Sequence, residues 1–352
     1  MVDPLEARLL PSEATRIGLI VPVSGVLGMV GPSAINCALL AAEELNAKGG
    51  ILGRPVELVL VDGGRRPYEV AEEVAGLVAG GTVQALAGSV ASDVRVAIVS
   101  AVRGRVPFVY APPYEGGGHA KGVYFLGETP VRQLGPAIAW LAEHRRARRW
   151  FLLGNDYVWP RLVHSGVRKY LEQVVAELYV PYGRAAATIE TIKSTRPDAI
   201  LVTLIGSDLV EFNREFNASG LTTPRLCAAL EEHGLMGIGG DDTGELYASM
   251  GYFHGLTTDA GLRFAERYTR AFGPSAPLLN AHGHGLYEAV AMLAALAARA
   301  GSLAVPDIDA HADGTSITSA RGRLTLEDRH VRQRVLLGRA DGLEFLLEKP
   351  FL

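Results

Sequence analysis

Arg16-Ile-Gly-Leu-Ile-Val-Pro22 is a short apolar run, and Val56-Glu-Leu-Val-Leu-Val61 is a second run further along the chain. Between them, Pro32–Lys48 places apolar residues three and four positions apart. Short apolar runs bounded by turn residues predict buried strands, and apolar residues at that spacing predict an amphipathic helix. The pair Gly49-Gly50 ends the helical pattern, as glycine often does just after a last helical turn. The order strand, helix, strand predicts the βαβ unit of a parallel sheet.

The same alternation of strands and helices continues along the chain. It restarts near residue 123 and then runs to about residue 228. Further strands are predicted at Val83–Ala87, Pro107–Tyr110, Val123–Leu126, Trp150–Leu153, Val174–Val180, Asp198–Thr203 and Arg225–Ala228. Further helices are predicted at Pro67–Ala79, Ser92–Val102, Val131–His144, Arg161–Gln173, Ala186–Thr195 and Leu209–Ala218. This pattern predicts an α/β fold of two doubly wound, Rossmann-like units in tandem.

The C-terminal part of the chain is too short for a third unit of this kind. Two helices are predicted there, at Gly261–Phe272 and Leu279–Ala300. We expect three short strands to form a terminal β meander, at Gly322–Leu326, Arg334–Leu337 and Leu343–Leu347. These last elements could be shared between the two units, with several chain crossings.

Composition excludes several classes of protein. The chain has 352 residues, of which 48% are hydrophobic and 20% are charged, so it can form sizeable cores. Its formal net charge of −4 is spread along the chain without a long basic block, which disfavours direct nucleic-acid binding. The two cysteines, Cys37 and Cys227, are too few for a disulfide framework.

The sequence contains no recognisable targeting or membrane-spanning segment. Met1–Leu10 includes Asp3 and Glu6 and has no apolar stretch of the kind that signal peptides contain. The most apolar region, residues 17–42, is interrupted by residues such as Pro22 and Gly31, so it does not predict a membrane span. We therefore expect no membrane insertion and a cytoplasmic location. The alternative is an extracytoplasmic location, if a leader has been removed.

Common catalytic signatures are missing from the sequence, which has no G-x-S-x-G, Walker A, C-x-x-C or H-E-x-x-H motif. The glycines of Gly25–Gly31 have the wrong spacing for a dinucleotide fingerprint and suit a turn before a helix. His282-Gly-His284 could bind a metal but lacks a third ligand nearby in sequence. We therefore expect no enzymatic activity, no cofactor and no metal. An enzyme with an unrecognised site at Glu231 or at the histidine pair is an open alternative.

Three segments that follow predicted strands are candidates for ligand contacts, because ligands of doubly wound folds bind at the carboxyl ends of strands. In Gly88–Ser92, the serine hydroxyl of Ser92 could bind a ligand at a helix N-terminus or simply cap the helix. In Tyr110–Gly118, two prolines stiffen an aromatic segment and glycines let it turn. In Asn155–Pro160, two aromatic residues could face a cleft or pack locally.

Four stretches together resemble the type I periplasmic-binding-protein superfamily, in its branched-chain amino-acid and amide branch. They are Ile17–Gly25, Ala41–Pro55, Pro113-Tyr-Glu-Gly116 and Asp156-Tyr-Val-Trp-Pro160. The second stretch ends in the pattern N-x-x-G-G-I-x-G-R-P, which is fairly specific to the branch. The last two are similar to amide-sensing and urea-binding members. The likeness covers roughly residues 16–348.

The resemblance implies two lobes joined by three hinge strands, which close over a small ligand. The crossings are expected near Leu126–Thr129, Gly251–Thr258 and Ser319–Gly322. The lobes are then residues 12–128 with 258–320, and residues 129–257 with 321–352.

The resemblance also implies which residues contact the ligand. In the first lobe they are Ser92, Tyr110, Ala111, Pro112 and Pro113. In the second lobe they are Tyr157, Trp159, Thr203, Gly206 and Glu231. At three places this sequence departs from the amide-sensing pattern: a threonine is missing between Tyr110 and Pro113, Trp159 replaces a tyrosine, and Glu231-Glu232 replaces two threonines. A carboxylate inside a closed cleft needs a cationic partner or a raised pKa, so Glu231 favours an amine-bearing ligand or is a solvated loop residue.

Our first functional expectation is a non-catalytic cytoplasmic sensor that closes over an amide, a urea-like compound or an amino acid and signals to a regulator protein. The alternative is the substrate-binding component of an ABC importer, with a permease as its partner. Self-association into a homo-oligomer is a further possibility that the family implies.

Overall fold

The structure of the protein is a computed structural model that describes residues 1–351. Its helices α1 to α12 are Pro4–Leu9, Gly31–Asn46, Pro67–Ala79, Ser92–Val102, Pro130–His144, Val158–Val167, Ile189–Thr195, Gly206–Ala218, Glu232–Ile238, Asp259–Phe272, Ala281–Ala300 and Val305–His311. Its strands β1 to β15 are Thr15–Val21, Val56–Asp62, Ala85–Gly88, Phe108–Tyr110, Val123–Phe125, Arg149–Asn155, Gln173–Val180, Ala199–Thr203, Arg225–Cys227, Leu246–Met250, Ser316–Ser319, Gly322–Glu327, His330–Arg332, Val335–Asp341 and Glu344–Phe351. Leu352, the last residue of the predicted second lobe, lies outside the described part.

The chain divides into two compact units. The first unit contains Met1–Pro112, Gly117–Gly127 and Thr257–Gln333. The second unit contains Pro113–Gly116, Glu128–Leu256 and the chain from Arg334 onward. The chain therefore passes from one unit to the other at residues 127–128, 256–257 and 333–334, apart from the short excursion at 113–116. The first two passages fall inside the ranges expected from the sequence, and the third lies further along than Ser319–Gly322.

The sheet of the first unit has the strand order β11-β12-β13-β5-β4-β3-β1-β2. Strands β2, β1, β3, β4 and β5 pair in parallel, whereas β11, β12 and β13 pair antiparallel with one another. Strand β1 is buried along its whole length, as expected for a parallel strand covered on both faces. Helix α2 packs against α11, and α3 packs against α4.

The sheet of the second unit has the strand order β15-β14-β10-β9-β8-β6-β7. Strands β7, β6, β8, β9 and β10 pair in parallel, and β14 and β15 add an antiparallel hairpin beyond β10. Two α/β units with these mixed sheets confirm the predicted fold class. The carboxyl ends of β6, β8 and β9 lie at one edge of this sheet because the strands are parallel.

The expected terminal β meander is correct for its last two strands, since β14 and β15 pair antiparallel, and wrong for the first. Strand β12 pairs with β11 and β13 in the sheet of the first unit, whereas β14 pairs with β10 in the second unit. The chain changes unit between β13 and β14, so the predicted strands Gly322–Leu326 and Arg334–Leu337 belong to different sheets. Helix α9 and strand β10 were not predicted.

Among the described residues, no single helix is long and apolar enough to cross a membrane; α11 and α12 meet that criterion only as a pair, with a bend of 88° between them.

Candidate functional site

In the first unit, the loops after β3 and β4 bring the predicted residues of that unit to one edge of the sheet. Gly88 and Tyr110 are paired residues at the ends of these two strands. Ser92 is the first residue of α4 and is buried, while Ala91 occupies the N-cap position. Beside this loop, the hydroxyl oxygen of Ser89 lies 3.1 Å from Nδ1 of His282, near the start of α11. The edge therefore contains hydroxyl groups, an imidazole and the beginnings of two helices.

Tyr110 lies in the interior of the first unit, with 1% of its surface exposed. Its hydroxyl donates a hydrogen bond of 2.6 Å to the carbonyl oxygen of Val90. Its ring makes edge contacts with Phe108 and Phe125, and the guanidinium of Arg95 lies 5.3 Å from the ring centroid. This arrangement makes Tyr110 a support for the loop after β3.

The predicted run from Ala111 to Pro113 spans a boundary between the two units. The amide of Ala111 donates to the carbonyl oxygen of Gly88 at 2.9 Å, which holds it beside β3. Ala111 and Pro112 are buried in the first unit, and Pro113 is half-buried and belongs to the second. Pro113 was expected in the first lobe; the short excursion of the chain at this point was not visible in the sequence.

In the second unit, a buried polar network joins the loops that follow β6, β7 and β8. Asn155, at the end of β6, donates through Nδ2 to Asp208 at 2.6 Å. The same carboxylate accepts the amide of Gly183, and the side-chain oxygen of Asn155 accepts the amide of Ile205 at 3.0 Å. Sequence reasoning assigned no role to Asp208, although an acid directly before the predicted helix Leu209–Ala218 was a usable signal.

Three aromatic side chains, in these loops and at the start of α6, lie near one another, and we call them the aromatic row. The ring centroid of Tyr157 is 6.4 Å from that of Trp159 and 6.3 Å from that of Tyr182. Trp159 is 3% exposed, and its indole nitrogen has no hydrogen-bond partner among the described residues. Tyr182 is 48% exposed and was missed, although it follows the predicted strand Val174–Val180 at the same edge of the sheet.

Thr203 lies inside the second unit, and its hydroxyl is engaged there. Its Oγ1 is 2.9 Å from Nε2 of His164 and 3.1 Å from the carbonyl oxygen of Leu153. Nδ1 of His164 is 3.3 Å from a carboxylate oxygen of Glu177. Burial lowers the pKa of His164 to about 4, against the opposing effect of Glu177, so the ring is neutral at pH 7. Three residues after Thr203, the backbone at Gly206 has a φ of 51°, a conformation that favours glycine.

Glu231 and Glu232 form a buried pair after β9. Glu231 is the N-cap of α9, and its carboxylate accepts the amides of His233 and Gly234, each at 2.9 Å. Burial, and next the charge of Glu231, raise the pKa of Glu232 to about 8, while the hydrogen bond from the amide of His254 opposes the shift. At neutral pH Glu232 is therefore mainly protonated. Glu231 was predicted as a ligand contact, but its capping role was not, and Glu232 was noted without a role.

The histidine pair of α11 does not converge on one site. His282 lies beside Ser89, whereas His284 is fully buried and its Nδ1 is 3.3 Å from a carboxylate oxygen of Glu288. Burial lowers the pKa of His284 to about 4. Among the described residues there is no group of three or more side chains arranged to hold a metal ion.

The whole sequence was compared with known families and proteins. The sequence model of the family described as periplasmic binding protein matches residues 14–343. The curated Leu/Ile/Val-binding protein BraC3 of Rhizobium johnstonii is 37% identical over 82 residues, which is 23% of this chain and 22% of that protein. The match thus spans about a fifth of the curated relative.

Solved structures match along almost the whole chain. The leucine-binding protein LivK of Thermotoga maritima superposes with a TM-score of 0.82 at 21% identity, covering 96% of this chain and 99% of that one. LivJ of Streptococcus pneumoniae, solved with isoleucine, gives 0.83 at 18% identity, with coverage of 96% and 99%. A solute-binding protein of R. palustris, solved with benzoate, gives 0.81 at 18% identity, with 96% of each chain covered. At these identities the likeness establishes the type I periplasmic-binding-protein fold.

Proposed function

Because the chain belongs to the periplasmic binding protein family, we propose that it is the solute-binding component of an ABC importer. The ligand is a small amine-bearing molecule of the branched-chain amino-acid type, which is bound and released unchanged. This was the alternative in the sequence analysis. It is favoured over the cytoplasmic sensor because the similar proteins named above are described as amino-acid-binding or ABC-transporter proteins. An importer component acts outside the cytoplasmic membrane, so the proposal includes the extracytoplasmic location and a permease partner.

The observation on which the ligand class depends is the buried Glu231–Glu232 pair after β9. The two side chains are 3% and 5% exposed, and both follow the carboxyl end of a parallel strand, where ligands of such sheets bind. A buried negative charge is stabilised by a positively charged group at close range. An ammonium group supplies that charge, whereas a neutral amide, urea or benzoate does not.

Other predicted residues fit the side chain of such a ligand. The aromatic row of Tyr157, Trp159 and Tyr182 offers a surface for an aliphatic side chain. Binding would act by shifting the protein toward the conformations that hold the ligand most tightly.

A thermal-shift screen tests the ligand class. Leucine, isoleucine and valine are compared with acetamide, urea and benzoate. A ligand present at 100 to 1,000 times its Kd stabilises the folded protein by about 3–4 kcal/mol, so the three amino acids should raise the melting temperature and the others should not. Stabilisation by the amides or benzoate alone would contradict the ligand class, and consumption of a bound ligand would support an enzyme.

Import is tested separately by deleting the gene in its host and measuring uptake of radiolabelled leucine. The importer role predicts a loss of uptake that the intact gene restores. Unchanged uptake together with an altered transcriptional response to leucine would support the sensor.

A further inference from the structure

The carboxyl groups of Glu231 and Glu232 have unequal hydrogen bonding. Glu231 accepts two backbone amides, those of His233 and Gly234. Oε1 of Glu232 accepts the amide of His254 at 2.5 Å, but Oε2 has no hydrogen-bond partner among the described residues. A buried carboxylate needs several donors or a cation to remain ionised. The structure thus provides for a negative charge at Glu231 and much less well for one at Glu232.

The titratable groups around Glu232 come from its own helix, from the segment after β10 and from the elements that α9 contacts. On its own helix and on the segment after β10, burial lowers the pKa values of His233 and His254, so both rings are neutral at pH 7. Helix α9 contacts α8 and β15, which carry acidic residues such as Asp208 and Glu344 and the basic residue Arg214. None of the three is among the groups that shift the pKa of Glu232.

The electrostatic repulsion acting on the carboxyl group of Glu232 therefore comes from Glu231. Among the described residues, Glu231 is the one charged side chain that shifts the pKa of Glu232. Two carboxyl groups that interact in this way titrate as a pair, and the second ionisation is suppressed by the first. The free pair thus contains about one negative charge at neutral pH.

We propose that Glu232 is a specificity-determining residue that is neutral in the free protein and loses its proton to solvent when the ammonium group of a ligand binds beside the pair. The inference rests on the proposed function, because it requires an amine-bearing ligand. The arriving positive charge cancels the repulsion from Glu231 and stabilises the second carboxylate. Neutral ligands leave the proton in place, so the pair selects for cationic amines.

Ionisation of Glu232 also strengthens a hydrogen bond inside the second unit, near a point where the chain leaves that unit. Oε1 of Glu232 accepts the amide of His254, which lies just before the point where the chain leaves the second unit at residues 256–257. A hydrogen bond to an ionised acceptor is roughly twice as strong as one to a neutral acceptor. Ligand charge is thus transmitted to the segment in which the chain changes unit.

The first experiment is isothermal titration calorimetry with leucine at pH 6.5, in phosphate and in Tris, whose ionisation enthalpies differ. The expected release is about one proton per leucine bound, and Kd falls about tenfold per pH unit between pH 6 and 7.5. Glu232→Gln cannot ionise, so its proton release and its pH dependence should both disappear. Glu344→Gln is the matched control: it removes an exposed acid that acts on His254, and should retain the full release.

The second experiment needs no ligand. Carbon-13 NMR of protein labelled at the glutamate carboxyls should show one group titrating near pH 8 that is missing from Glu232→Gln. A normal titration near pH 4.5, or leucine binding without proton release, would overturn the inference. A titration near pH 8 in a protein that no amine stabilises would instead refute the proposed function and leave the proton assignment of the free protein standing.

Discussion

Each unit contains a glutamate that is almost fully buried beside a histidine, and the two glutamates behave in opposite ways. In the first unit, Glu288 on α11 has no exposed surface, and Arg321 donates to both of its carboxylate oxygens. Burial raises the pKa of Glu288, but the guanidinium of Arg321 is the chief opposing effect, and the pKa lies below its usual value. In the second unit, Glu232 is buried to a similar degree and its pKa is raised to about 8.

The difference shows that burial alone does not decide the state of a carboxyl group. Glu288 forms an ion pair with Arg321, at hydrogen-bond distance. This pair is structural and joins α11 to the residues before β12. Glu232 has a like-charged neighbour and an unsatisfied oxygen. A buried group that the protein leaves poorly compensated is a candidate for ligand binding, because the missing partner can be supplied from outside.

The largest effect is expected where the ion pair is broken. Glu288→Gln leaves the guanidinium of Arg321 buried without its anion, which typically costs about 3–5 kcal/mol. The free energy of unfolding at pH 7, measured in urea, should fall by that amount. A loss below about 1 kcal/mol would mean that Arg321 is well solvated and that the two glutamates differ less than proposed.

The same exchange in the second unit should act in the opposite direction and depend on pH. Because the folded-state pKa of Glu232 is raised above its unfolded value, wild-type stability falls as pH rises from about 4.5 to 8. Glu232→Gln removes this loss. Its free energy of unfolding relative to wild type should therefore increase by on the order of 3 kcal/mol as the pH rises from 5 to 8. Urea denaturation at both pH values measures it. A pH-independent difference would show that Glu232 is already ionised in the free protein.

The aromatic row tests whether the second-unit edge binds ligand. Trp159→Ala should weaken leucine binding about 10- to 100-fold, since it removes a buried aromatic contact worth roughly 1.5–3 kcal/mol. Trp140→Phe, on α5 and stacked on His144, is the control and should leave Kd unchanged. Unchanged affinity in a folded Trp159→Ala protein would remove Trp159 from the site.

The smallest effect is expected at the exposed end of the row. Tyr182 is about half exposed, so Tyr182→Ala should weaken binding only about two- to fivefold. Tyr68→Ala, in helix α3 of the first unit, removes a ring that is somewhat more exposed and should have no effect on Kd. Equal effects of the two variants on Kd would mean that Tyr182 makes no specific contact with the ligand.

Much of the fold was predictable because local patterns determine its elements. Helices α3 and α4 have the predicted bounds, since a proline begins one and the apolar spacing continues to the end of both. The placement of β12 was not predictable in the same way, because strand pairing joins segments far apart in sequence and the pattern of one strand does not name its neighbours. The third passage between the units was displaced for the same reason.

The site was predictable by position but not by side-chain direction. Sequence placed Tyr110 and Thr203 at the ends of strands and Glu231 after a strand, where they are. It did not indicate that the first two hydroxyls turn inward to Val90 and His164, or that the third residue caps a helix. Which hydrogen bond a side chain makes depends on neighbours from other strands.

The most direct test of the central claim compares leucine with 4-methylpentanoate, which has the same side chain and carboxylate but no amine. If the Glu231–Glu232 pair binds an ammonium group, calorimetry at pH 7.5 should show leucine binding at least ~100-fold more tightly, the value of a charge-assisted contact of about 3 kcal/mol. Equal affinity for the two compounds would contradict the account, because the buried carboxyl pair would then make no contact with the ligand.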